Sequence, residues 1–391
     1  MTATIRTATT QDINQIAELV AARIGDDDAR EAEIVLADEY FRNRWFVAEE
    51  DDRILSTAAV FPGQLHLGGV TVGAGAIEFV ATREDAEGRG LVRLLMQEIH
   101  STAQSRGEMA QWIVGITYFY RKFGYEYAIP VETTYSVSAG EAPEMPSGWT
   151  VERVSGAEIP DLASVQTAVA KQSDVAFTAN RRMWDVYEMS PVYELIVARS
   201  RNGVGYGRIY PYEDDRYMFD VVADSSNAVS ALVNAAGDGG SYDVTVMARQ
   251  SARKSLDLLT DPEPSGDAYF VRVADPVKLL EAMRPLLSSR LRAWDAEAEG
   301  EALISLYESS IRFSYGQGQV GPIKGGPAEQ APIGQGGSGV APDRIVAQLL
   351  GPLGAEKLAE LNPDVNLGEQ EDLMKALFPP QTCDVHSWVF P

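Results

Sequence analysis

The sequence predicts mixed α/β domains, and three observations carry that expectation. Strand-like and helix-like apolar patterns alternate along most of the chain, and apolar residues make up 45% of it. At 391 residues the chain is too long for one ordinary core, so two or three domains are expected. The net charge of −24 repels nucleic acid and anionic membranes and attracts cationic ligands. The first residues lack the basic region and apolar run of a signal peptide, and no stretch reaches the ~18 apolar residues of a membrane span. A soluble cytoplasmic protein is expected. Cys383 is the only cysteine, which excludes an intrachain disulfide and a thiolate metal cluster, and no metal is expected.

Residues 5–8 read as a strand, and Thr9 to Asp12 can cap a helix with Ile13, Ile16, Ala17 and Val20 on one face. Strands are expected at 45–48 and 54–61, around the acidic turn Glu49-Glu50-Asp51-Asp52, and again at 76–81. Gly88-Arg89-Gly90 opens a helix in which Leu91, Leu94, Leu95 and Ile99 recur at helical spacing, ending near Gly107. A strand at 109–116, a helical turn at 118–123 closed by Gly124, and a strand at 131–138 complete the first segment. The run 142–148 reads as a linker. The second segment has a helix with Leu162, Val165 and Val169, then strands at 194–199, 204–210 and 216–222, a helix at 225–235 and a strand at 242–248. Its order repeats the first segment without a glycine-rich strand-to-helix turn, which reads as a degenerate repeat. Residues 261–266 mark the next boundary, followed by a strand at 268–273, a helix at 276–288 and strands at 302–307 and 310–315. Residues 316–341, rich in Gly and Pro, are expected to form a long mobile loop, followed by short helices at 342–350 and 369–377. The apolar tail at Trp388, Val389 and Phe390 is expected to dock. The expected domains are 1–140, 141–266 and 267–391.

Two clusters carry chemistry. In the first, the strand around Glu78 runs into Gly88-Arg89-Gly90 and then a long amphipathic helix. Glycines permit close backbone approach, and the first helical amides, lacking internal partners, favour an anion such as a pyrophosphate. The second is Tyr118-Phe119-Tyr120-Arg121-Lys122-Phe123-Gly124-Tyr125, which alone would read as an aromatic core turn.

Together these clusters resemble the GNAT superfamily of N-acetyltransferases. Its Arg/Gln-x-x-Gly-x-Gly/Ala motif corresponds to Asp85-Ala86-Glu87-Gly88-Arg89-Gly90, with Asp85 at the Arg/Gln position. Its Tyr-x-x-Phe-Gly-Phe/Tyr turn corresponds to Tyr120 through Tyr125. Length and plan are similar to the Eis (enhanced intracellular survival) family. The resemblance implies tandem GNAT folds, the second degenerate and without cofactor, plus a sterol-carrier-protein-like C-terminal domain. It also implies acetyl-CoA as cosubstrate, aminoglycosides and other polyamines as acceptors, and a homohexamer. It places the general acid on Tyr120 and the base on the free carboxylate of Pro391. Acetyl-CoA contacts fall on Phe79, Val80 and Ala81, on Glu87, Gly88, Arg89, Gly90, Leu91 and Val92, and on Gly115 and Ile116.

Acyl transfer to an amine needs a neutral amine, a donor for the oxyanion and a proton for the leaving thiolate. Neutralising an ammonium of pKa about 10.4 at pH 7 costs roughly 4.6 kcal/mol. Burial would raise an α-carboxylate from about 3.5 toward a usable base. A phenol near ~10 suits a thiolate near ~8.5, and the Val80 amide can hold the thioester oxygen. Glu78 is an alternative base; His66, His100 and His386 are weaker ones, and Tyr118 and Tyr125 fit the pocket wall. Protein lysine acetylation and non-catalytic acyl-CoA or lipid binding are the competing functions.

Overall fold

The computed structural model describes residues 3–116, 118–154, 159–179, 182–190, 192–212, 215–263, 266–330 and 332–385. The first part of the chain runs β1 (Thr4–Thr7), α1 (Ile13–Arg23), α2 (Asp26–Ala37), the one-turn α3 (Glu39–Arg42), β2 (Trp45–Glu50), β3 (Arg53–Leu67), β4 (Val70–Thr82), α4 (Leu91–Ser105) and β5 (Glu108–Ile113). A 3-10 turn at Phe119–Phe123 leads to β6 (Glu126–Pro130) and β7 (Thr133–Val137). Strands β1 to β4 pair antiparallel in sequence, and β4 then pairs parallel with β5. Alternating side chains of β4 feed two cores. Ala76, Phe79 and Ala81 pack on the side of α1 and α2; Ile77 and Val80 pack on the α4 side with Leu95 and Ile99.

The second part runs β8 (Thr150–Arg153), α5 (Ile159–Ala170), β9 (Val175–Ala179), α6 (Met183–Met189), β10 (Glu194–Ser200), β11 (Gly203–Tyr212), β12 (Asp215–Ala223), α7 (Ser226–Ala236), β13 (Asp243–Ala248), α8 (Gln250–Leu256) and β14 (Pro262–Glu263). Its sheet has the order β14-β7-β13-β12-β11-β10-β8. An antiparallel run again ends in a parallel pair, β12 with β13. The likeness reaches a single backbone angle. Both β4 and β12 carry a bulge, with Phe79 at φ 52° and Asp220 at φ 52°. This is the repeat expected from the sequence, in a tandem GNAT arrangement.

The third part runs β15 (Ala268–Val273), α9 (Pro276–Trp294), β16 (Gly300–Ser305), β17 (Ser310–Gly316), β18 (Gln319–Val320), β19 (Lys324–Gly326), β20 (Ser338–Val340), α10 (Ile345–Leu350), α11 (Gly354–Leu361), β21 (Val365–Asn366), α12 (Glu371–Leu377) and β22 (Cys383–Val385). Its own sheet has the order β18-β17-β16-β20-β21, with β19 on β17. Residues 316–341 are therefore not one long loop: they supply β18, β19 and β20. Val320, Ile323 and Val340 are buried, enough apolar anchors to fix a glycine-rich segment against its neighbours.

The sheets interlock across the chain. β15 inserts between β5 and β6 of the first sheet, while β7 joins the second. β9 pairs with the far half of β3, and β22 pairs in parallel with β9. Asp384 and Val385 are thus buried at the edge of the first sheet. The expected docking of the tail and the base at Pro391 fall on residues 386–391, outside the described residues.

Candidate functional site

The site begins where β4 and β5 separate. Their parallel pairing ends at Ala76 opposite Trp112, just before β4 bulges at Phe79, while the other edge of β5 stays paired with β15. Backbone groups of β4 beyond Ala76 therefore lack a strand on the β5 side, and such groups need another partner. The opening is a cleft of about 510 Å³. It collects Val80, Ala81, Glu87, Gly88, Gly90, Leu91, Val92, Ile116 and Tyr120 from among the residues singled out in the sequence. Phe79, Arg89 and Gly115 do not line it. The Phe79 ring stacks on Trp45 with centroids 4.8 Å apart, and Arg89 reaches Glu50 at 2.9 Å.

Gly115 acts from beneath. A Cβ there would lie 2.3 Å from Tyr120 Cε2, so the missing side chain is what lets the phenol ring approach the backbone this closely. Gly88 and Gly90 differ: both take positive φ, 73° and 78°, and a Cβ on either would meet nothing within 4 Å. Their left-handed turns aim the backbone, and the space beside them is open. No side chain caps α4, and its first three amides have no acceptor among the described residues. An anion at those amides satisfies them and meets the positive end of the helix dipole. Coenzyme A carries a pyrophosphate, and this loop and cleft fit it.

The second sheet shows the contrast. At the corresponding turn into α7, Ser225 caps the helix, its side chain accepting from the Ala228 amide at 3.3 Å. Behind the β12 bulge, Arg249 fills the space, buried and bridging Asp220 at 3.0 Å and Asp384 at 2.6 Å. The repeat keeps the bulge, but a side chain already caps its helix start and buried Arg249 pairs with the bulge residue Asp220.

The acidic residues of the loop before α4 are also accounted for. Asp85 pairs with Arg53 at 2.8 Å, and Glu87 pairs with Arg23. They latch the loop to β3 and α1, and the amides of α4 are left to face the anion.

At the inner end of the cleft, Tyr120 is 4% exposed, and burial, reinforced by Glu78, pushes its phenol pKa up. Glu78 sits just before the bulge, partly buried. Burial, with Asp28 as a second cause, raises its pKa well above the usual carboxylate range. Its carboxyl group has no hydrogen bond or ion pair among the described residues. Asp28 is itself raised by burial and by Asp27, and Glu31 by burial; all three lie on α2. His66 lies between Thr71 and Thr178, and burial holds His100, against Tyr125, down at about 3. Neither lines the cleft, and His386 is outside the described residues.

Residues 4–128 match the family model of the acetyltransferase (GNAT) domain. The N-terminal domain has the GNAT fold. The whole chain is similar to a GCN5-related N-acetyltransferase from Kribbella flavida, 17% identical over 99% of this chain and 100% of that one, with a TM-score of 0.69. A GCN5-related N-acetyltransferase from Anabaena variabilis is 15% identical over 98% and 99%, with a TM-score of 0.73. Eis1 from Mycobacterium abscessus is 17% identical over 99% of each chain, with a TM-score of 0.67. At these identities the likeness is one of fold. No curated protein matches the chain. The described residues contain no group of three or more His, Cys, Asp or Glu side chains placed to hold a metal ion, and no described helix is long and apolar enough to cross a membrane.

Sequence reasoning missed several wall residues of the GNAT cleft: Arg23, Thr82, Ala86, Arg93, Phe119, Lys122 and Phe123. Phe119, Lys122 and Phe123 belong to the turn already singled out and could have been found there. Arg23, at the end of α1, carries no local signal.

Proposed function

We propose that the protein transfers the acetyl group of acetyl-CoA to an amine of a cationic small molecule, an aminoglycoside or polyamine. The observation that carries this reading is the buried Tyr120 at the inner end of a cleft whose walls suit coenzyme A, within electrostatic reach of Glu78 on β4. Acetyl-CoA supplies the activated acyl group. Glu78, its pKa raised by burial, is in its ionised form a stronger proton acceptor than an ordinary carboxylate. The uncharged Tyr120 phenol donates to the departing sulfur. Its raised pKa makes it a hydrogen-bond donor first and a full proton donor only as charge develops. After Glu78 has taken the ammonium proton, attack by the neutral amine forms the C–N bond; collapse breaks the C–S bond as the sulfur takes the Tyr120 proton, and the nitrogen's second proton returns to the phenolate. The acidic face of α2 at Asp27, Asp28 and Glu31 supports a cationic acceptor.

A second reading gives the base to the Pro391 carboxylate. The direction of β22 favours it: its register on β9 and β3 runs toward the Glu78 end of β4. Six further residues span at most ~20 Å.

CoA release with aminoglycosides, polyamines and lysine peptides tests the function. Tyr120→Phe is expected to lower kcat by about 10²-fold with little change in acetyl-CoA affinity. Loss of turnover in Glu78→Gln, with activity kept after residues are appended beyond Pro391, supports Glu78; the reverse supports the carboxylate. Acetyl-CoA binding without turnover on any amine would sink the enzyme reading.

A further inference from the structure

The chain carries 57 acidic and 33 basic side chains, so a basic side chain is readily neutralised. Around the cofactor loop this holds for Arg23 with Glu87, Arg53 with Asp85 and Arg89 with Glu50. Two cations of the cleft break the pattern. Arg93, in the first turn of α4, and Lys122, in the 3-10 turn, line the cleft and are paired with no carboxylate among the described residues. Each lies against an aromatic ring. Arg93 Cζ is 5.8 Å from the Phe123 centroid, and Lys122 Nζ is 5.2 Å from that of Phe119. The two rings meet edge to face with centroids 5.5 Å apart. Two exposed cations and two half-buried rings thus form one cluster at the mouth, while Tyr120 is buried at the inner end.

Such a cluster suits a planar base joined to a phosphate monoester, which carries about −1.5 to −2 charge at pH 7. Resting on the acetyl-CoA reading, we infer that Arg93, Lys122, Phe119 and Phe123 receive the 3′-phosphoadenosine of coenzyme A and make the protein discriminate against coenzymes lacking the 3′-phosphate. Arg93 lies within one turn of the α4 amides that suit the pyrophosphate, so the nucleotide need not leave the cleft to reach it. A neighbouring hollow of about 430 Å³, lined by Arg23, Arg53 and Arg83, is the rival position. It fits worse. Glu84 and Asp85 line it too, Arg53 and Arg23 are committed to carboxylates, and Arg83 donates to the Ile54 carbonyl at 2.7 Å.

Calorimetric titration of the full chain with CoA and with 3′-dephospho-CoA tests this without turnover. The wild type is expected to bind CoA at least about tenfold more tightly. In Arg93→Gln/Lys122→Gln that ratio falls to within about twofold, through weaker CoA binding, while Lys122→Arg keeps it. Both side chains are exposed, and a thermal melt like that of the wild type verifies that the variants are folded. A ratio near one in the wild type overturns the inference, as does a ratio that survives the double substitution or is abolished instead by Arg23→Gln or Arg53→Gln. In each of those cases CoA still binds, and the acetyl-CoA reading stands. Failure of both ligands to bind overturns the inference together with that reading.

Discussion

Glu108 is buried on β5, and its Oε2 has no partner among the described residues. Burial raises its pKa to about 7, with Arg106 and Arg44 only partly offsetting that. The folded state therefore holds a proton that the unfolded chain releases near 4.5. Stability from this group is complete below about pH 4.5, falls as pH rises toward 7 and is flat above. The full cost is about 3 kcal/mol. Glu108→Gln is expected to match the wild type at pH 4 and to melt higher at pH 8, and equal melting at both values would refute the account. Gly115 makes a different residue-scale prediction. Gly115→Ala puts a methyl group where the Tyr120 ring lies, so kcat should fall by an order of magnitude or more and overpacking should cost about 1–3 kcal/mol of stability, while CoA affinity changes little. Unchanged kcat would show that Tyr120 is not the acid, or that its ring placement is immaterial.

At the scale of elements, α4 was readable because its signals are local. Two glycines, a run of apolar residues at helical spacing and a stop at Gly107 lie within one stretch of chain, and the helix spans Leu91–Ser105. The bulge in β4 was not readable. Phe79 adopts φ 52° against its own preference, held by Trp45 and Phe61, which lie far away in sequence. The facing of Glu78 depends on that bulge, which strict alternation along the strand does not reveal. α2 was missed outright: Asp26-Asp27-Asp28 at its start looks like a solvated acidic run, yet Ala32, Val35 and Leu36 are buried on its other face. The acidic wall beside Glu78 was hidden with it. The loop arginines were visible as residues, but their partners were not. Arg53 and Asp85 are brought together only when β3 and the loop fold onto each other.

For the whole molecule, order along the chain foretold three segments and a repeat, but strand patterns specify faces and not partners. Hence nothing in the sequence of β15 or β22 announced that each would join the first sheet. One buried cluster fastens this exchange. Arg249 donates to Asp384 from Nε at 2.7 Å and from Nη2 at 2.6 Å, and to Asp220 at 3.0 Å. Asp384 sits on β22, in the first sheet through β9, and Asp220 on β12 of the second. Arg208 also reaches Asp220, at 3.1 Å, so loss of Arg249 leaves Asp384, not Asp220, without a cation; Asp384 keeps the Gln250 amide at 3.1 Å. Arg249→Met should therefore destabilise by about 3–5 kcal/mol, mostly the cost of an unpaired buried carboxylate. Several sheets need not unfold together, so the informative readout is amide exchange by peptide rather than one midpoint. Exchange should rise in 174–179 and 383–385 and stay low in β2 and β3 up to Phe61. Adding Asp384→Asn should restore most of the protection, because the stranded charge is removed. Uniform loss of protection across all three sheets, or no recovery in the double variant, would show that Arg249 acts as general packing and not as the tie between sheets. If the tie holds, the same variant also fixes what the Pro391 reading requires. A loosened β22 must then cost turnover, whereas a base at Glu78 can leave the chemistry running on a frayed C-terminal strand.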